Sequence, residues 1–187
     1  MDEFSYLSVI LSIILGLAIT QILQGFRGLM QSRARVRLYW PALAWAAILL
    51  LVYVQSWWAM FGLRRQENWN FAGFAIVLLH ITLLYMLAGL VLPDFPPNEP
   101  VDLRENYYAH HKWLFGIAVL SVLASLGKDL VLSGSLPNRT NVVFHLIFFV
   151  IALVGAVTRR EWYHKTAAVL MAVLFVFYTA ILFEYLR

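Results

Sequence analysis

The sequence predicts an all-α fold, a polytopic membrane protein built as a six-transmembrane helix bundle with both termini on the extracytoplasmic side. Three observations carry that prediction. Hydrophobic residues make up 62% of the 187-residue chain and charged residues only 13%, against about 25% charged in soluble domains. Mean hydropathy is +0.76, and the apolar residues fall in runs near the roughly 20 residues that cross a 30 Å hydrocarbon layer. The basic residues gather in alternate loops, as orientation in a membrane requires.

The first expected span covers residues 4–25. The chain opens MDEFSYLS, which is acidic and lacks the basic region and small-residue cleavage motif of a signal peptide, so the span is read as retained. Ser8, Ser12, Gly16, Thr20, Gln24 and Gly28 recur at every fourth position along it. Small residues at that spacing let helix backbones approach closely. The stripe therefore reads as a helix-packing seam, within the protomer or between protomers. The alternative has Thr20, Gln21 and Gln24 line the inner end of a pathway.

The second span, 40–63, carries Gln55, and the third, 71–92, holds His80 near its centre. A histidine at that depth is expensive to ionise and usually faces the bundle interior, as a relay group or a neutral hydrogen-bonded side chain. The fourth span, 113–133, takes in two adjacent full charges, Lys128 and Asp129. Neighbouring helix positions point about 100° apart, so each is expected to seek its own partner. Lys128 continues a face with Ser121, Ala124 and Ser125. The fifth span, 141–158, gives His145, and the sixth, 166–185, gives Glu184. All six spans form one transmembrane domain.

Counting at about 1.5 Å per residue, Gln55, Lys128, Asp129, His145 and Glu184 fall together in the outer third of the membrane. His80 lies deeper, as a mid-membrane relay candidate. Ionisable groups within spans mark a functional site by default.

Orientation follows from the loops. The first, third and fifth carry Arg27, Arg33, Arg35, Arg37, Arg104, Lys112, Arg159, Arg160 and Lys165, and the other side carries Arg64, Arg65, Arg139 and Arg187. The richer side faces the cytoplasm. The third loop holds four prolines, which argue against a folded domain there. Its end, RENYYAHHKW, reads as an interfacial segment, because adjacent histidines lack the i, i+4 spacing of two metal ligands on a helix.

These readings bound the function. No cysteine is present, which removes thiol redox chemistry and Cys-type metal sites. No catalytic, phosphate-loop or dinucleotide motif occurs, so no enzyme, metal or cofactor is expected. The net charge of +4 serves topology, not nucleic-acid binding. A small channel or transporter for protons or small ions is the leading expectation, in the bacterial inner membrane, with the lipid bilayer as partner and a homo-oligomer or larger membrane complex as assembly. One alternative is a scaffold, sensor or accessory subunit with a structural ion-pair network. A haem-binding redox protein is disfavoured, since His80 and His145 differ in depth by roughly 8 Å at 1.5 Å per residue.

Overall fold

A computed structural model describes residues 3–66, 69–96 and 99–182. Within them the chain forms six long helices: α1 (Glu3–Gln31), α2 (Trp40–Met60), α3 (Phe71–Val91), α4 (Leu103–Ser133), α5 (Arg139–Val157) and α6 (Glu161–Leu182). All six are long and apolar enough to cross a membrane, which is compatible with a multi-pass membrane protein.

Local chemistry sets the boundaries. Pro41 occupies the first turn of α2, where its missing N–H removes no helix bond. Asn70 caps α3 by accepting from the Gly73 N–H at 2.7 Å, and Asn138 caps α5 by accepting from the Asn141 N–H at 2.8 Å. At the end of α4, Gly134 takes a left-handed conformation with φ +66° and donates to the Leu130 carbonyl, the usual role of a terminal glycine.

Two expectations about elements are corrected. RENYYAHHK, assigned to the third loop, is instead the opening of α4, which starts at Leu103. Asp102 caps it, its Oδ1 accepting from the Arg104 and Glu105 N–H groups at 2.8 and 3.1 Å. The first loop is likewise mostly helix. α1 runs on to Gln31, a 3-10 turn follows at Arg33–Arg35, and strand β1 (Val36–Arg37) pairs in parallel with β2 (Val101–Asp102). That short ladder ties the first and third loops together at one end of the bundle. The Arg104–Glu161 ion pair, at 2.9 Å, brings the fifth loop to the same end. Leu132 packs on Gly73 at the opposite end.

The helices pack as a ring. α3 lies against α4, α4 against α5, α5 against α6, α6 against α2, and α2 closes back on α3. α1 sits outside this ring against α3 and α2. It buries Leu7, Leu11, Leu15, Ala18 and Ile22. The small-residue stripe faces away. Ser12, Gly16, Thr20 and Gln24 are exposed, and a Cβ at Gly16 would meet nothing within 4 Å. The seam within the protomer is thus overturned for these positions, because leucines already fill the contact face. Gly28, and Gly25 beside the stripe, do have a packing role of another kind. A Cβ there would come within 2.6 Å of Phe95 and 2.8 Å of Leu92, so these glycines let the third loop lie against α1.

Candidate functional site

The ring lines a half-open cavity of about 150 Å³, large enough to hold water. Its wall is mostly apolar, supplied by residues such as Leu49, Leu84, Leu114 and Phe148. Its polar groups are Gln55 and Ser56 from α2, His80 from α3, Ser121 and Ser125 from α4, His145 from α5 and Tyr178 from α6. Two residues of the cluster drawn by depth, Gln55 and His145, therefore share one cavity with the mid-membrane candidate His80.

α4 places Ser121 and Ser125 one helical turn apart, on the face where Ala124 is also buried. His145, 6% exposed, has its Nδ1 2.9 Å from the Asn141 carbonyl, one turn back on its own helix. A carbonyl only accepts, so Nδ1 carries a hydrogen. In the neutral ring Nε2 is then an acceptor, and the Ser125 hydroxyl lies 3.1 Å from it. This pair joins α4 to α5. Tyr178 packs its ring against Phe144, Phe148 and His145. His80 is half-buried, lines the cavity, and among the described residues its ring has no hydrogen-bond partner.

Beyond Ser125 on α4 come Lys128 and Asp129, their side chains 22% and 28% exposed. Contrary to the expectation of separate partners, they pair with each other, Nζ to Oδ1 at 3.8 Å. The long lysine stem folds across the angle between adjacent positions. Neither residue lines the cavity wall. They stand one turn past it. Glu184, expected in the same cluster, lies outside the described residues.

At the end of the ring nearer the odd loops the cavity reaches Trp45 and Phe115, whose rings meet edge to face at 5.2 Å. Phe115 also contacts His164, part of a second buried cluster. Tyr107 and His164 Nδ1 are 2.9 Å apart, and His164 Nε2 lies 3.0 Å from the Thr158 carbonyl. The same logic puts the His164 hydrogen on Nε2, so the Tyr107 hydroxyl donates to Nδ1. His111 sends Nδ1–H to the Tyr108 carbonyl at 2.7 Å, while its buried Nε2 finds no partner among the described residues. Tyr39 packs on Tyr107 and Tyr108, and its hydroxyl meets that of Tyr108 at 3.2 Å. Burial, then that bond, pushes the Tyr39 phenol above its ordinary value.

Exposed charges rim this end. Glu161 bridges Arg104 and Lys165, and Arg159 donates to the Tyr108 carbonyl. The Asp102 carboxyl, outside the spans, is held below the usual carboxylate range, first by the Glu105 N–H and then by the Arg104 N–H and Arg37.

Sequence reasoning missed the Tyr107–His111–His164 cluster. A signal existed. The positions 107, 111, 114, 118, 121 and 125 alternate steps of four and three, so the buried face of Ser121 and Ser125 runs back through Tyr107 on one helix. No linear pattern pairs Tyr107 with His164.

Among the described residues, no group of three or more His, Cys, Asp or Glu side chains is placed to hold a metal ion. Compared with protein-family models, with curated proteins and with solved structures, the chain finds no match.

Proposed function

We propose that this chain is a small multi-pass protein of the bacterial inner membrane that conducts protons through its five-helix ring. Both termini face outward, as the excess of basic residues in the odd loops favours. It acts as a channel or transporter and not as an enzyme.

One observation carries the reading: a half-buried His80, without a hydrogen-bond partner among the described residues, shares a cavity of about 150 Å³ with the His145–Ser125 pair. A neutral imidazole carries one nitrogen that accepts and one that donates a hydrogen, which suits it to a relay. Lys128 and Asp129 form the outer mouth, one turn above Ser125. The Trp45–Phe115 contact closes the inner end, and such apolar constrictions gate water passage. Protons suit the cavity better than hydrated ions, because most of its wall is apolar and no carboxylate among the described residues lines it.

The scaffold reading has one observation in its favour. The Lys128–Asp129 pair is already internally matched, as a static clasp would be. The exposed face of Ser12, Gly16 and Thr20 then serves as a contact for a second copy or a larger complex.

Proton flux into proteoliposomes under an imposed membrane potential separates the two. The native chain is expected to acidify the lumen, His80→Phe to reduce flux to that of protein-free liposomes, and Arg64→Gln, outside the cavity, to leave it unchanged. Folded native protein with no flux between pH 5 and 8 overturns the proposal in favour of the scaffold.

A further inference from the structure

A second concavity lies outside the ring, where α1, α3, the third loop and the start of α4 meet. It is a groove of about 620 Å³, within the size range of small-molecule sites. Thr20, Gln21 and Gln24 of α1 form one wall, Asn106 and His110 of α4 another, and Asp94 of the third loop its rim. The floor depends on glycine. The Gln21 amide rests over Gly89, 3.1 Å from where a Cβ would stand, and Gly25 and Gly28 admit Leu92 and Phe95.

Its depth is telling. Thr20 and Gln24 precede Arg27 by seven and three residues, about 10 and 5 Å at 1.5 Å per residue. In the bilayer-embedded reading proposed above, on which this inference rests, an exposed hydroxyl and amide at those depths meet the boundary between headgroups and acyl chains. Polar groups turned toward hydrocarbon are costly unless a partner fills their bonds. Among the described residues, no lysine or arginine lines the groove, and its one carboxylate is Asp94. That lining repels a bare anion and favours a cation with hydrogen-bond donors.

We infer that the groove binds the headgroup of a phospholipid carrying a primary ammonium. The ammonium donates to the Asp94 carboxylate. The Gln21, Gln24 and Asn106 amides donate to phosphate and ester oxygens, and the acyl chains run down the exposed face of α1 past Leu17.

Native mass spectrometry of the detergent-solubilised full chain tests this. The probes are phosphatidylethanolamine, phosphatidylcholine, which keeps the phosphate but has no ammonium N–H, and water-soluble glycerophosphoethanolamine. The native chain is expected to prefer the ethanolamine lipid about fivefold, the upper end for a partly exposed ion pair. Asp94→Asn removes the preference, Gln24→Leu weakens both lipids, and Glu3→Gln, at the other end of α1, changes neither. Equal retention of the two lipids by the native chain overturns the inference, as does a preference that survives Asp94→Asn. Glycerophosphoethanolamine binding as tightly as the lipid overturns the lipid source and leaves a site for soluble amines. A chain that conducts protons but shows no lipid preference refutes this inference alone.

Discussion

Gly155→Ala adds one methyl group where α5 crosses α4, and two effects oppose each other. Alanine in a helix interior is favoured over glycine by about 1 kcal/mol. Against that, a Cβ at Gly155 would stand 2.8, 2.9 and 3.0 Å from three Phe115 ring atoms. Phe115 is 1% exposed and boxed in by Trp45, Tyr107 and His164, so the ring has nowhere to go. Overpacking of this kind costs about 1–3 kcal/mol. Packing wins, with a net loss of about 0–2 kcal/mol. A loss near 1 kcal/mol lowers the Tm of a chain this size by roughly 2–4 °C. Gly16→Ala is the matched control. Nothing lies within 4 Å of a Cβ there, so only the helix term acts and the monomer gains up to about 1 kcal/mol. Thermal unfolding in detergent, followed by tryptophan fluorescence, reads both, and Trp45 reports directly on the displaced ring. If Gly155→Ala unfolds at or above the temperature of Gly16→Ala, the close α4–α5 contact and the reasoning from it are wrong.

Three further outcomes follow from particular side chains. Tyr107→Phe removes the donor to His164 Nδ1 in a fully buried site and should destabilise by about 1–3 kcal/mol in chemical denaturation; a neutral effect contradicts this hydrogen bond. In a double-mutant cycle, Lys128→Met and Asp129→Asn should couple by about 1–3 kcal/mol, between the values of surface and fully buried pairs; additive losses would mean the two charges do not hold one another. Asp102→Ala should cost about 0.5–2 kcal/mol at pH 7 through loss of the α4 cap. Because folding lowers the Asp102 pKa, its ionised form stabilises the fold above the ordinary carboxylate pKa. That stability is lost as pH falls through the folded value. The gap between native and Asp102→Ala unfolding midpoints should therefore shrink toward pH 2, and a gap that widens on acidification has the wrong sign.

Hydropathy made the six spans legible, because each helix holds a long apolar stretch that outweighs its polar ends. The same averaging hid the first turns of α4, where the charges and histidines of RENYYAHHK cancel the signal of a face that buries Tyr107 and His111. Depth along a helix could be counted from the sequence, which brought Gln55 and His145 to one level. Angle around the bundle could not, so the ring of five helices and the outlying α1 emerge only in three dimensions. The small-residue stripe is not a seam within the protomer for a definite reason. Close helix approach needs small residues only where larger ones do not already interlock, and α1 interlocks through Leu7, Leu11 and Leu15. The Lys128–Asp129 pair was obscured by treating both side chains as rigid, when a lysine stem is long enough to fold back on its neighbour.

The central claim is that water enters the ring from the side of the chain termini. The sequence contains no cysteine, so a single introduced thiol is unique. Ser125→Cys places it on the cavity wall beside His145, and Leu123→Cys places one at a similar depth on the exposed outer face of α4. In sealed, right-side-out vesicles, a membrane-impermeant thiol reagent should label Ser125→Cys and spare Leu123→Cys. Failure to label Ser125→Cys, in protein that reacts fully once denatured, would show a dry clasp and contradict the account.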